Sequence, residues 1–135
     1  MSTTTFTVTV VSTASGNKYA INGVTQDSVL LSRGGTYKFD QSDNSNNNHP
    51  LRFSTTDNGS HDGGSEYTSG VTTSGTPGSS GAFTQIVVAA DAPDILFYYC
   101  TNHSGMGGSG YTGDSDWGQN TLGSNSWQSG VTLIS

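Results

Sequence analysis

The sequence predicts a single all-β domain with long polar loops, and three observations support this fold class. Apolar residues make up only 30% of the 135 residues, but they are clustered in short runs and are mostly β-branched or aromatic. Several runs alternate apolar with polar residues, which is the period-2 pattern of half-buried strands. Glycine, serine, threonine and asparagine fill the segments between the runs, as expected for loops. A chain of this length can form one domain with a modest core.

The first strand is predicted where Phe6, Val8 and Val10 alternate with threonine, so that one face is buried. Val11 breaks the alternation, which indicates a bulge or a bend. A turn at Gly16-Asn17 is expected to separate this strand from further strands at 19–23, which ends in Asn-Gly, at 29–31 and at 36–39.

A polar segment, residues 40–48, leads to His49 at the start of another predicted strand. His49, Leu51 and Phe53 alternate with more polar positions and therefore share the inward face. A histidine on this face is placed to reach a buried metal. The alternative is a histidine at the edge of the core that bonds only to backbone.

The longest predicted insertion covers residues 57–81, in which Tyr67 and Val71 could form a short strand or a helical turn. We interpret His61, within it, as a solvated loop residue, with a second metal site as the minor alternative. The strands that follow are predicted at 83–89 and 95–100. The second of these is apolar on both faces, which favours a central strand.

The segment after Met106 is rich in glycine and is poor material for a strand. We therefore expect a domain of residues 1–108 and a tail of residues 109–135, with a possible final strand at 131–134. Either the closing strand is displaced past a long loop or the tail docks on a neighbouring subunit. Trp117 and Trp127 in the tail would be local packing anchors or interface residues.

Four residues form a candidate metal-binding set: His49, Cys100, His103 and Met106. Cys100, His103 and Met106 follow one another at intervals of three residues, directly after the aromatic strand. Thiolate, imidazole and thioether ligands together favour copper. Zinc is the main alternative, because cysteine and histidine also suit that metal.

The pattern Cys100-x2-His103-x2-Met106, with His49 upstream, resembles the ligand loop of the cupredoxins in its short, amicyanin-like form. Residues 34–40 also resemble the strand that precedes the first ligand in that family. The resemblance implies a Greek-key β-sandwich and one type 1 copper ion. Cys100 and the two histidines would form a plane around it, with Met106 as the weak axial ligand. It implies one-electron transfer with a redox partner protein.

The segments HPLRFST and YYCTNHSGMGG also resemble cupredoxin-like modules of marine phage and marine bacterial surface proteins. That resemblance implies the alternative function, a structural subunit of a virion or cell surface that self-assembles and in which copper is structural or incidental. One residue departs from the family, because Pro50 stands where many cupredoxins have asparagine. Proline has no N–H to donate to the ligand sulfur, so we expect a lower potential or a greener site.

Composition and charge exclude several functions. The net charge is −6, and the four basic residues are scattered, which gives no basis for binding nucleic acid. No apolar run has the length of a membrane span. The sequence shows no Ser-His-Asp set, paired carboxylates or phosphate loop, so we do not expect an enzyme. The first residues lack the basic and apolar regions of a signal peptide, so we expect a chain that is either trimmed of a signal or made without one, as a virion protein can be. The expected location is extracellular or in a virion, with the periplasm as the alternative.

Overall fold

The structure is a computed structural model that describes residues 3–113, and it confirms the all-β fold class. Two short 3-10 helical turns, Asn44–Asn46 and Gly59–Asp62, are the only helical elements of this part of the chain. The strands are β1 (Thr3–Thr13), β2 (Gly16–Ile21), β3 (Val24–Thr25), β4 (Val29–Leu30), β5 (Thr36–Asp40), β6 (Leu51–Ser54), β7 (Glu66–Tyr67), β8 (Val71–Ser74), β9 (Phe83–Val87), β10 (Ile95–Cys100) and β11 (Gly108–Tyr111).

The strands form two sheets of mixed direction. The first sheet has six strands in the order β3-β2-β1-β5-β9-β8, and the second has five in the order β4-β11-β10-β6-β7. The pairs β1–β5 and β4–β11 are parallel, and the other pairs are antiparallel. As predicted, β10 is a central strand of its sheet.

Strand β1 shows the predicted buried face but not the predicted break. Val8 is buried, and Phe6 and Val10 pack against the core. The strand changes partner between Thr7 and Val8, from β5 to β2. Val11 pairs with β2 in regular register, so the prediction of a bulge or bend there is wrong. Each residue from Val8 to Thr13 has one partner in β2, so no extra residue is inserted at Val11.

The turns of the first two hairpins follow the sequence with one shift. Asn22 and Gly23 both have positive φ angles and join β2 to β3 in a two-residue turn, as the Asn-Gly pair predicts. The turn expected at Gly16-Asn17 lies two residues earlier, at positions 14–15. Gly16 is instead the first residue of β2, with a φ of 110° that favours glycine.

The core lies between the two sheets and is centred on aromatic side chains. The ring of Phe39 in the first sheet lies 5.3 Å from that of Phe53 and 6.1 Å from that of Tyr98, both in the second sheet. The rings of Tyr19 and Tyr98 are 6.3 Å apart. These contacts join β2 and β5 to β6 and β10. Close packing here fixes the ends of the strands that carry the candidate ligands.

The segment after Met106 forms a strand, so the prediction that it is poor strand material is wrong. Strand β11 pairs with β10 and with β4, and it crosses the predicted boundary between residues 108 and 109. The glycines here are a steric requirement. A Cβ on Gly107 would overlap the Tyr98 carbonyl, and one on Gly110 would lie 2.5 Å from the side chain of Leu31. The predicted strand at 131–134 and both tryptophans lie outside the described residues.

Among residues 3–113, none of the helical elements has the length and apolar character needed to cross a membrane.

Candidate metal centre

His49, Cys100 and His103 come together at one end of the second sheet. The Cys100 Sγ lies 3.6 Å from His49 Nδ1 and 3.8 Å from His103 Nδ1, and the three atoms lie within 4.8 Å of one another. Cys100 is fully buried, His49 is 8% exposed, and His103 is exposed at the surface. The group therefore has a buried side, at the cysteine, and a solvent side, at His103.

These separations fit a bound metal ion. A metal about 2.3 Å from sulfur and about 2.0 Å from imidazole nitrogen, at angles between tetrahedral and trigonal, sets sulfur and nitrogen about 3.5 to about 3.7 Å apart. The two sulfur–nitrogen distances in the structure, 3.6 and 3.8 Å, are close to these values. The group can hold a metal ion, and it is the only such cluster of histidine, cysteine and carboxylate groups among the described residues.

The register of two neighbouring strands explains why the group forms. Cys100 is the last residue of β10 and pairs with Leu51, the first residue of β6. Because the strands are antiparallel, His49, two residues before Leu51, lies at the same end as Cys100. The chain then turns through residues 101–107, here called the ligand loop, which carries His103. The sequence prediction that these three residues meet is confirmed by the geometry.

Met106 closes the ligand loop and is buried, with 1% of its surface exposed. It belongs to the same core cluster as Cys100. Its main-chain oxygen accepts a hydrogen bond of 2.9 Å from the backbone N–H of Tyr19. Its role as an axial ligand stays a prediction.

Two buried donors hold the main-chain oxygen of His49. The Tyr19 hydroxyl donates to it at 2.6 Å and the Gln41 side-chain amide at 2.7 Å. Gln41 also accepts from the N–H of Leu51 at 3.0 Å and donates to Asn46. Sequence reasoning missed Gln41, because it lies within the polar segment 40–48. The signal was its parity, since Tyr37, Phe39 and Gln41 continue one inward face of β5.

Strand β2 and Gln26, just beyond β3, hold one side of the ligand loop through four hydrogen bonds to its main-chain oxygens. Lys18 Nζ donates to the oxygen of Gly105 at 2.7 Å, and the backbone of Tyr19 binds Met106 as described. The side-chain amide of Gln26 donates to the main-chain oxygens of Gly107 at 2.8 Å and Gly105 at 3.2 Å. None of these partners is signalled by the sequence, because long-range pairing cannot be read from local pattern.

The 3-10 turn at residues 59–62 and the residue before it hold the other side. The Asn58 amide donates to the Ser104 hydroxyl at 2.7 Å, and its carbonyl oxygen accepts from the N–H of Gly105 at 2.8 Å. His61 Nε2 lies 2.7 Å from the main-chain oxygen of Cys100, so that ring nitrogen carries the proton and donates. His61 is exposed, as predicted, but it is not merely solvated, which corrects the sequence interpretation.

Asn102 and Pro50 complete the contacts at the start of the ligand loop. The Asn102 amide donates to the main-chain oxygen of Asn48 at 2.9 Å. Thr101 N–H donates to the main-chain oxygen of Pro50 at 3.2 Å. The segments on either side of His49 are thereby tied to the residues that follow Cys100.

Burial lowers the pKa of His49, and the nearby charge of His103 lowers it further. The neutral imidazole is therefore favoured at this position, and only the neutral ring can ligate a metal. Burial raises the pKa of Tyr19, and Cys100 raises it further, so its hydroxyl stays protonated and remains a donor.

The fold and the group define a class: a β-sandwich protein in which one thiol and two imidazoles form a group that can hold a metal ion. No protein-family model matches the chain, and no curated protein sequence shows significant similarity to it. The donor atoms of the group therefore indicate which metal ion it would bind.

Proposed function

We propose that the protein is a cupredoxin-like, mononuclear type 1 copper protein that transfers one electron at a time. The observation that carries this proposal is the arrangement of Cys100 Sγ with the Nδ1 atoms of His49 and His103 at 3.6 and 3.8 Å. One thiolate and two imidazoles, with a weak thioether ligand, are the donor set of a blue-copper centre.

The donor set favours copper over zinc. A structural zinc site takes four firm ligands, and a catalytic one takes three with an open position for water. The described group holds three firm donors, and no carboxylate belongs to it. Next in the chain stands the buried thioether of Met106, a soft and weak ligand that suits copper.

In this proposal Cys100, His49 and His103 would hold the ion, and the Met106 thioether would be a weak fourth ligand. Copper would supply a one-electron cycle between Cu(I) and Cu(II). The chain would keep the donor atoms in place during this cycle. The main-chain oxygens of His49, Cys100 and Met106 each accept a hydrogen bond from another part of the fold, either β2 or the 3-10 turn at 59–62. His103 is exposed, and it is the point at which a redox partner would approach the centre.

A second candidate function is a structural subunit of a virion or cell surface, and one observation favours it. Leu30, Tyr111 and Ile95 are direct cross-strand neighbours on β4, β11 and β10, and each is at least 36% exposed. An aligned apolar row of this kind suits contact between copies of the chain. Oligomers seen by light scattering and lost in a Tyr111→Ser variant would favour this function, whereas a monomeric wild type would favour the carrier.

Titration of the metal-free protein with Cu(II), followed in the visible spectrum, tests the copper proposal. We expect an intense charge-transfer band that saturates at one equivalent and is lost in Cys100→Ser and His49→Ala. His61→Gln is the matched control, because it removes an imidazole that does not belong to the group while it keeps an N–H donor for the main-chain oxygen of Cys100. A colourless wild type, or equal colour in all variants, would contradict the proposal. Tighter binding of zinc without colour would support the zinc alternative.

A further inference from the structure

Tyr19 makes hydrogen bonds to two candidate ligands that lie in distant parts of the sequence. Its hydroxyl donates to the main-chain oxygen of His49 at 2.6 Å, and its backbone N–H donates to that of Met106 at 2.9 Å. The residue is fully buried. Its own main-chain oxygen accepts from Gln26, which in turn bonds to the ligand loop. The side chain of this residue thus holds the His49 segment, and its backbone holds the ligand loop.

The Tyr19 hydroxyl can be removed without leaving its acceptor unpaired or its ring unpacked. The main-chain oxygen of His49 has a second donor in Gln41, at 2.7 Å, so it keeps one partner if the hydroxyl is removed. The ring of Tyr19 packs on that of Tyr98 whether or not the hydroxyl is present. Removing the hydroxyl alone should therefore leave the fold in place while it loosens His49 relative to Cys100.

We propose that Tyr19 is a positioning residue of the metal centre, which sets the placement of His49 relative to Cys100 and Met106. The inference rests on the proposed copper function for its spectroscopic consequence. The positioning of the chain itself can be measured without metal. The buried hydroxyl stays a donor over the physiological pH range, because burial raises its pKa.

The matched pair of variants is Tyr19→Phe and Tyr98→Phe. Tyr98 is buried to the same degree, and its hydroxyl also donates to a main-chain oxygen, at 2.7 Å, but that oxygen belongs to Asp27, which is not a candidate ligand. The two substitutions therefore remove the same chemical group from two residues that are both almost fully buried. Only the first removes it from the metal centre.

Three readouts separate a positioning role from a merely structural one. In Tyr19→Phe we expect a shifted visible band, a changed reduction potential and a copper affinity about tenfold lower, as is usual when a group that orients a ligand is lost. In Tyr98→Phe we expect a similar fall in melting temperature with none of these changes. Equal spectra, potentials and affinities in the two variants would overturn the proposal.

Amide hydrogen exchange of the metal-free protein gives a readout that does not depend on copper. The backbone N–H groups of His49 and Leu51 should exchange faster in Tyr19→Phe than in Tyr98→Phe, because both belong to the segment whose main-chain oxygen loses the Tyr19 hydroxyl. If the wild type binds no copper but the difference in exchange is seen, the proposed function fails and the positioning role stands. If copper binds and neither readout differs, the positioning role fails.

One measurement on the wild type covers the case in which Tyr19→Phe does not fold. The hydroxyl proton of a buried, hydrogen-bonded tyrosine can be observed by NMR. Loading the protein with Cu(I), which is diamagnetic, should move the Tyr19 hydroxyl resonance and leave that of Tyr98 unchanged. Equal behaviour of the two resonances would overturn the proposal.

Discussion

Replacing Asn58 with glycine removes both hydrogen bonds that join this residue to the ligand loop, at Ser104 and Gly105. An intramolecular hydrogen bond contributes about 0.5–1.5 kcal/mol, so the two together are expected to contribute about 1–3 kcal/mol. Asn58 has a φ of 65°, which glycine adopts without strain. The glycine variant therefore removes the side-chain contacts without adding strain to the folded backbone. The alanine variant should cost about 1 kcal/mol more, because alanine is strained in this conformation.

Urea unfolding of the metal-free protein measures this change in stability. Amide exchange at Gly105 and the rate of copper release to a chelator measure its effect on the ligand loop. The matched control is Asn22→Gly. Asn22 also has a positive φ, of 51°, and its side chain accepts one hydrogen bond, from Thr7, in an exposed turn. The control should lose about 0.5–1.5 kcal/mol and should not change copper release. The reasoning is refuted if Asn58→Gly leaves the exchange of Gly105 and the release of copper unchanged.

Three further predictions concern packing, pH and chain length. Gly107→Ala should destabilise the fold by about 3 kcal/mol in urea unfolding, because a Cβ there would overlap the main-chain oxygen of Tyr98. Gly23→Ala is the control for packing, because a Cβ there meets nothing and its cost of about 1 kcal/mol should come from the φ of 87° alone. The pKa of His49 is lowered from 6.5 in the folded state, so the unfolded chain binds more protons as the pH falls through 6.5 and the metal-free protein should lose stability there. His49→Gln should flatten that dependence, and an unchanged slope would contradict the assignment. A chain ending after residue 113 should fold and bind copper, whereas one ending after residue 107 should not, because it lacks β11; circular dichroism and the visible band check both.

Local pattern predicted the parts of the fold that depend on one strand at a time. The alternation in β1, the Asn-Gly turn and the central position of β10 follow from side-chain parity and turn chemistry. The approach of His49 to Cys100 could also be anticipated, because each residue was predicted at one end of an apolar strand. The register that aligns them comes from the packing of the second sheet and is not written in either segment.

The closing strand shows why composition failed where packing decides. Three of the four residues from Gly107 to Gly110 are glycines, a composition that a propensity scale places in a loop. The main chain approaches Tyr98 and Leu31 so closely that larger residues do not fit. The same glycines that weaken an isolated strand are therefore needed in this one.

Residues outside the predicted ligand set hold the candidate centre in place. The main-chain oxygens of His49, Cys100 and Met106 are held by donors from β2 and from the 3-10 turn at 59–62, Tyr19 and His61 among them. Each donor is distant in sequence from its acceptor, so no local pattern reveals the pairing. A ligand residue whose main-chain oxygen is fixed from another element cannot shift without breaking that bond. Such a centre resists the change in geometry that the two oxidation states of copper would otherwise favour, which is the property that the proposed one-electron function requires.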